Sequence, residues 1–135
     1  MNNLLTSDKI YIKQSQISNA GRGVYARVEI KKGEIIEICP IIEIGENDPS
    51  SSGEGILITY LYYFGETKQK ALIALGFGAI YNHTYTPNAV YEIDEEQQTI
   101  SFIAATDIEK DLEITVNYNQ TSPEDTKPLW FDEAN

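Results

Sequence analysis

The amino-acid sequence predicts a mainly β fold, and three observations lead to this prediction. Lys9 to Ile17 alternates polar and apolar residues, which is the period of a strand with one buried face. Glu34 to Ile44 is rich in isoleucine, whose β-branched side chain favours strands. Two apolar runs, Ala89 to Ile93 and Thr99 to Ala104, flank a polar turn in the pattern of a hairpin.

Length and composition set the size of the fold. The chain has 135 residues, of which 41% are apolar, and this is enough to build the core of one domain. We expect a single domain over residues 1–135, with its core over about residues 9–119 and a C-terminal tail over residues 120–135. Cys39 is the only cysteine and His83 the only histidine. The sequence therefore predicts no intramolecular disulfide and no metal site.

The net charge of the chain limits the kinds of partner that it can be expected to bind. A net charge of −11 argues against binding to nucleic-acid phosphates, which requires a basic surface. The charge is compatible with a basic, lysine-bearing protein segment as a partner, although acidic surfaces also serve solubility. The sequence has no apolar run long enough for a transmembrane helix and no signal-peptide pattern. We expect no membrane association and an intracellular, cytoplasmic protein, or a nuclear one in a eukaryotic source; a homodimer stays open.

The segment after the first strand contains Gly21-Arg22-Gly23. Two glycines one residue apart predict a tight turn in which the backbone can approach a ligand closely, and an ordinary hairpin turn is the alternative. A third glycine and a following helix pattern are missing, which argues against a dinucleotide-binding fold.

The middle of the chain is expected to form further strands. Pro40 could divide the isoleucine-rich segment into two strands, because proline cannot donate to a sheet. Gly45 to Gly55 has the composition of a loop. Ile56 to Phe64 is apolar and aromatic and is interpreted as a buried strand. Glu66 to Ala74 is expected to form a short turn or helix.

The stretch from Leu75 to Val90 is the most informative part of the sequence. It is apolar up to Tyr81 and then turns into Asn82 and His83, followed by Thr84, Thr86 and Asn88. An asparagine and a histidine at the end of a buried run must find hydrogen-bond partners, either in the protein or in a ligand. The simpler interpretation is a strand or short helix that ends in an Asx-type turn at Pro87-Asn88.

The rest of the sequence predicts two related turns and a final strand. Glu29 to Gly33 and Asp107 to Asp111 share a sequence pattern, and each precedes an isoleucine-containing strand. Asp111 replaces Gly33, and aspartate is one of the few residues that tolerate a left-handed turn position. Glu113 to Asn119 alternates so that Ile114, Val116 and Tyr118 share one face of a final strand.

Three motifs resemble those of the SET-domain protein-lysine methyltransferases. Asn-His-Thr-Tyr-Thr-Pro-Asn at 82–88 resembles the family's Asn-His-Ser-x-x-Pro-Asn motif. Gly-Arg-Gly-Val-Tyr-Ala at 21–26 resembles its N-terminal loop, and Glu-Ile-Thr-Val-Asn-Tyr at 113–118 resembles its Glu-Leu-Thr-Tyr-Asp-Tyr segment. The similarity runs from about Gln16 through Tyr118. The family's cysteine-rich zinc segments are absent, so the chain resembles the minimal, SET-only members.

The resemblance implies a cofactor and a set of site residues. The cofactor would be S-adenosylmethionine, bound by Gly21, Arg22, Gly23, Asn82 and His83. Tyr118 would be the catalytic tyrosine. Trp130 would contact adenine from the C-terminal tail, although simple packing of this side chain explains it equally well. Val116 and Asn117 depart from the family's motif.

The resemblance also implies the fold and the activity. The fold would be a β-clip-like SET domain of several short sheets and short helical turns, with a C-terminal segment threaded in a knot-like way past Asn82-His83. The activity would be transfer of methyl groups to a lysine side chain through a channel lined by Tyr60, Tyr62 and Tyr81. The alternatives are an inactive SET-fold binding module and a small acidic β-domain that mediates protein contacts.

Overall fold

A computed structural model describes residues 4–45, 60–64 and 70–118. These residues contain nine strands and no α-helix. The strands are β1 (Ile10–Gln14), β2 (Arg22–Ala26), β3 (Ile35–Ile44), β4 (Leu61–Phe64), β5 (Lys70–Ala74), β6 (Asn82–His83), β7 (Ala89–Asp94), β8 (Thr99–Ala104) and β9 (Glu113–Val116). The mainly β fold is confirmed. The short helical turns of the expectation appear as successive turns over residues 75–80.

The first sheet has the strand order β1-β2-β9-β6. β1 and β2 form an antiparallel hairpin, and β9 lies antiparallel to β2. On its other side β9 runs parallel to β6, with Asn82 opposite Thr115 and His83 opposite Val116. The C-terminal strand therefore lies beside the Asn82-His83 pair, as the resemblance to the family implied.

The second sheet has the order β4-β5-β3-β8-β7, and its strands are antiparallel throughout. Pro40 does not divide the isoleucine-rich segment, because β3 is continuous across it. Instead β3 exchanges partners at this point: it pairs with β8 through Pro40 and with β5 from Ile41 onward. A residue without an N–H thus stands where one ladder ends and the next begins.

The expected turn or helix over Glu66 to Ala74 is wrong for its described part. Lys70–Ala74 is strand β5, which pairs with β3 on one side and β4 on the other. Lysine, alanine and leucine favour helices intrinsically, but pairing on both edges overrides that weak preference. The expected strand over Ile56 to Phe64 is confirmed at Leu61–Phe64, and its earlier residues lie outside the described part, as do residues 65–69.

The two related turns and the hairpin are confirmed. Gly33 and Asp111 both have a positive φ, of 89° and 70°. Ile30 and Ile108 form an antiparallel bridge, and each donates its N–H to the carbonyl of the other. β7 and β8 pair in continuous register from Ala89–Ala104 to Asp94–Thr99. The tail over residues 120–135, including Trp130, lies outside the described residues.

The core is built from both sheets and from the two related turns. Its fully buried apolar side chains include Val24, Ile30, Ile36, Leu72, Tyr81, Ile100, Phe102, Ile108, Ile114 and Val116. A β-bulge in β3 between Ile35 and Glu37 makes two consecutive residues, Ile36 and Glu37, both buried. The bulge therefore turns a carboxylate into the interior. Among the described residues no helix is long and apolar enough to cross a membrane.

Candidate active site

Asn82 binds two acceptors on neighbouring strands. Its side-chain Nδ2 donates to the carbonyl of Arg22 at 3.0 Å and to Oε2 of Glu113 at 2.8 Å. Both of these partners accept only, so the amide nitrogen must face them. Oδ1 is consequently the atom of the Asn82 amide that can accept a hydrogen bond from a ligand.

Asn88 holds the backbone of β9. Its Nδ2 donates to the carbonyl of Glu113 at 2.9 Å, and its Oδ1 accepts from the N–H of Thr115 at 2.9 Å. One side-chain amide therefore supplies the donor and the acceptor that a neighbouring strand would supply. The Asn88 amide thus bonds to a strand 25 to 27 residues away, beyond the local turn considered in the simpler interpretation.

His83 orients the segment that follows β9. Its Nδ1 accepts a hydrogen bond from the backbone N–H of Tyr118 at 3.0 Å. Accepting at Nδ1 requires a lone pair there, which corresponds to the neutral ring with its proton on Nε2. The His83 and Tyr118 rings lie 5.2 Å apart between centroids. Among the described residues no group of His, Cys, Asp and Glu side chains could hold a metal ion.

Tyr118 occupies a largely apolar, aromatic environment. Its hydroxyl donates to the carbonyl of Tyr81 at 2.5 Å. Its ring centroid lies 5.9 Å from that of Tyr62, and its carbonyl accepts from the hydroxyl of Tyr91 at 3.2 Å. Burial first, and then the neighbouring Tyr91, Tyr60 and Glu113, raise the pKa of Tyr118 above its ordinary value. The Tyr118 hydroxyl therefore keeps its proton at physiological pH.

The three tyrosines expected to line a channel lie in different places. Tyr62 is buried beside Tyr118 and donates to the carbonyl of Gly78 at 2.8 Å. The ring of Tyr81 is fully buried and stacks on Phe102 at 4.1 Å, and Tyr81 contacts Tyr118 through its backbone carbonyl. Tyr60 is 37% exposed. A channel role for all three stays a prediction, and Tyr62 has the position that suits it best.

Glu37 is a buried carboxylate that the sequence analysis did not single out. Its Oε1 accepts from the Tyr81 hydroxyl at 2.8 Å, and its Oε2 accepts from the Phe77 N–H at 3.0 Å. Glu37 therefore fixes both ends of the segment whose carbonyls bind the Tyr62 and Tyr118 hydroxyls. A glutamate in an isoleucine-rich strand gives no sign of this, because glutamates are usually exposed.

The Gly21-Arg22-Gly23 segment contains two glycines with different roles. Gly21 has a φ of 74°, and a Cβ built there meets no atom within 4 Å. Gly23 lies in β2, and a Cβ there would stand 2.3 Å from Glu113 Oε2 and 3.0 Å from Asn82 Nδ2. Arg22 contributes its carbonyl to Asn82, and its side chain is exposed. Gly21 is thus required by backbone conformation, and Gly23 by the carboxylate and amide packed on it.

We expect Gly23→Ala to be more destabilising than Gly21→Ala. At position 21 the added methyl enters open space and costs only the strain of a left-handed residue, about 1 kcal/mol. At position 23 the methyl displaces the Glu113 carboxylate from Asn82, and breaking such a partly buried bond costs about 2–3 kcal/mol in addition to packing strain. Urea unfolding of both variants measures the difference. Equal losses of stability would show that the Glu113 carboxylate moves aside freely.

Glu113 is the second functional residue that the sequence analysis passed over. It stands at the start of the Glu-Ile-Thr-Val-Asn-Tyr segment, and its alternation with Ile114 directs it to the opposite face from the core. That alternation was a usable signal, since the opposite face of β9 is the face that Asn82 approaches.

The predicted contact of Trp130 with adenine falls on the tail, which lies outside the described residues.

Known proteins resemble this chain in sequence and in fold. The family model of the SET domain matches residues 21–119. "Histone-lysine N-methyltransferase, H3 lysine-37 specific" from Schizosaccharomyces pombe (strain 972) is 30% identical over 114 residues, which cover 84% of this chain and 71% of the relative.

Two solved structures have a similar fold. The crystal structure of a Plasmodium falciparum protein assigned to the histone methyltransferases has a TM-score of 0.65 and 35% sequence identity, covering 87% of this chain and 97% of the other. Polycomb repressive complex 2 of Chaetomium thermophilum, bound to S-adenosylmethionine, has a TM-score of 0.65 and 18% identity; the match covers 88% of this chain and 16% of the other and shows the fold alone. The chain belongs to the SET-domain family of protein-lysine methyltransferases.

Proposed function

We propose that this chain transfers methyl groups from S-adenosylmethionine to a lysine side chain of a protein. The observation that carries the proposal is the meeting of Asn82 and His83 with the segment that ends in Tyr118. Asn82 binds the side chain at the start of β9, and His83 binds the backbone just after its end. One strand pairing therefore brings the expected cofactor residues and the expected catalytic residue together.

The donor-binding residues fit the chemistry of the proposed cofactor. S-adenosylmethionine, when bound, supplies a methyl group activated by a sulfonium ion. Its methionine end carries an ammonium group, which needs acceptors such as Asn82 Oδ1. The Gly21 backbone has open space beside it, which allows a ligand to approach closely. We assign Gly21, Arg22, Gly23, Asn82 and His83 to donor binding on these grounds.

Tyr118 has the properties of an orienting residue and lacks those of a base. Because the pKa of Tyr118 is raised, its hydroxyl stays protonated near neutral pH and cannot accept a proton as a phenolate base would. A free lysine has a pKa of about 10.4, so the neutral amine costs roughly 4–5 kcal/mol at pH 7. Aromatic walls such as Tyr62 disfavour the charged ammonium and reduce this cost. The remaining task is alignment, to which a fixed hydroxyl and fixed carbonyls contribute.

The partner that suits the surface is a basic protein segment. The net charge of −11 attracts lysine- and arginine-rich segments and repels nucleic-acid phosphates. The name of the S. pombe relative refers to a lysine of histone H3. We propose a lysine-bearing basic segment as the substrate of this chain, with association weakened by added salt.

The cofactor assignment is tested with Asn82→Ala. Loss of the amide removes an acceptor for the donor and also leaves the Glu113 carboxylate and the Arg22 carbonyl without this partner. We expect donor affinity, measured by calorimetry, to fall by about 1–3 kcal/mol, a factor of roughly 5 to 150. Thr86→Ala, an exposed change in the same motif, is the matched control and should bind normally. Unchanged affinity in a folded Asn82→Ala variant would contradict the assignment.

Turnover separates the enzyme from the binding module. The chain is incubated with labelled S-adenosylmethionine and lysine-rich peptides, and incorporation of label into lysine is measured. The proposal expects incorporation that depends on Asn82. Donor binding without incorporation on any lysine-bearing protein of a whole-cell lysate would favour the inactive SET-fold module.

A further inference from the structure

We infer that Glu113 is a positioning residue that fixes the side-chain amide of Asn82 in one orientation. In this orientation both amide N–H groups bond to the protein, and Oδ1 is presented as an acceptor to the methyl donor. The inference deepens the proposed function and rests on it for the identity of the ligand. The orientation itself is a property of the ligand-free protein.

Residues from three separate segments of the chain contact the Glu113 carboxylate or lie directly against it. Ser15, after β1, donates its hydroxyl to Oε1 at 2.7 Å, and Asn82 of β6 donates to Oε2 at 2.8 Å. Gly23 of β2 lies so close that any side chain there would collide with the carboxylate. The two neighbours of β9 thus both adapt to Glu113, one by offering a donor and one by having no side chain.

Among the described residues, none of the ion pairs includes Glu113. Those pairs are Lys9–Glu34, Lys31–Glu29 and Lys70–Glu95, and all lie elsewhere. A partly buried carboxylate without a cation depends on hydrogen bonds to its charged form. Ser15 and Asn82 supply these bonds, so the Asn82 amide is held by a charge-assisted bond stronger than an ordinary one.

Without Glu113 only the Arg22 carbonyl would hold the amide in this orientation. Asn82 is 8% exposed, so water offers it few substitute partners. The Arg22 carbonyl alone engages one N–H and leaves the second one unsatisfied, which is costly in a buried place. The amide can then rotate, and rotation replaces the acceptor that faces the ligand by a donor. A donor there would repel an ammonium group.

The first test uses the protein without any ligand. In the wild type, nuclear magnetic resonance should show the two Asn82 side-chain amide protons as separate signals that exchange slowly with solvent. In Glu113→Ala these protons should exchange at least about tenfold faster, because one charge-assisted bond is gone. Glu113→Met, which has a similar length and no acceptor, serves if the alanine variant does not fold. Unchanged exchange in a folded variant overturns the inference.

Rescue by the conservative variant separates positioning from charge. In Glu113→Gln the new carbonyl can accept from Asn82 and the new amide can donate to Ser15, whose hydroxyl also accepts. We expect donor affinity, measured by calorimetry, to fall about tenfold in Glu113→Ala and by less than about threefold in Glu113→Gln. Glu92→Ala removes the same charge from an exposed site on β7 and should leave affinity unchanged.

A double mutant completes the test. If Glu113 acts through Asn82, adding Glu113→Ala to Asn82→Ala should weaken donor binding little further. If the losses of donor affinity in the two single variants multiply in the double mutant, Glu113 acts independently of Asn82. If Glu113→Ala and Glu113→Gln lose the same affinity, Glu113 acts by its charge. Either result overturns the inference. Should the wild type bind no donor, the proposed function fails, and the ligand-free exchange experiment still decides whether Glu113 fixes Asn82.

Discussion

Tyr118→Phe is expected to lower turnover on an established lysine substrate about a hundredfold while donor affinity stays nearly intact. The change keeps the ring, with its packing against Tyr62 and His83, and deletes only the hydroxyl. That hydroxyl is fixed by the Tyr81 carbonyl, so it needs no reorganisation when the methyl group and the amine align. Removing a preorganised group of this kind costs on the order of 3 kcal/mol in the transition state.

The ground-state effect of the same change should be small. Deleting the hydroxyl leaves the Tyr81 carbonyl without this partner, which lowers the free energy of unfolding by about 1–2 kcal/mol. A uniform loss of binding would appear in KM, whereas loss of alignment appears in kcat, and steady-state kinetics distinguishes the two. Stability is measured on the same preparation by urea unfolding.

Tyr91→Phe is the matched control. It also deletes one hydroxyl from a buried tyrosine, and that hydroxyl bonds to the backbone carbonyl of Tyr118 itself. We expect turnover in Tyr91→Phe to stay within a few-fold of the wild type. If both variants lose turnover equally, the effect comes from the placement of residue 118 in general. Equal turnover in Tyr118→Phe and the wild type would remove this hydroxyl from the mechanism.

Local chemistry made several features predictable from the sequence. The β7–β8 hairpin follows from alternation and turn composition, because its partners are adjacent in the chain. The turns at Gly33 and Asp111 follow from the restricted set of residues that adopt a positive φ. The resemblance to a known family then predicted the pairing of β9 with Asn82-His83, although about 30 residues separate these strands.

Features that depend on distant partners were not predictable from single residues. β5 contains helix-favouring residues, and only its pairing with both β3 and β4 decides that it is a strand. Glu37 faces the core because of a bulge one residue earlier, which alternation does not reveal. Glu113 acquires its role from Asn82 and Ser15, which lie 31 and 98 residues away. Each case combines an ordinary residue with a long-range contact.

The aromatic environment of Tyr118 predicts a steep loss of stability at alkaline pH. The four tyrosines of this region, Tyr62, Tyr81, Tyr91 and Tyr118, have raised pKa values, and burial is the largest cause in each. In the unfolded chain these side chains ionise near pH 10, whereas in the folded protein they remain neutral. Above that pH the unfolded state binds fewer protons than the folded state, so rising pH favours unfolding. Below it, this contribution to stability is fully present.

The expected loss is large. Each such tyrosine contributes about 1.4 kcal/mol per pH unit above pH 10, so the four together contribute roughly 5 kcal/mol per unit. A domain at the lower end of the usual 5–15 kcal/mol of stability would unfold within roughly one pH unit of that point. Urea unfolding at several values between about pH 8 and 11 measures the slope, and tyrosinate absorbance should rise together with unfolding. Tyr91→Phe should reduce the slope by about 1.4 kcal/mol per pH unit, and a flat profile across this range would contradict the burial of these hydroxyls.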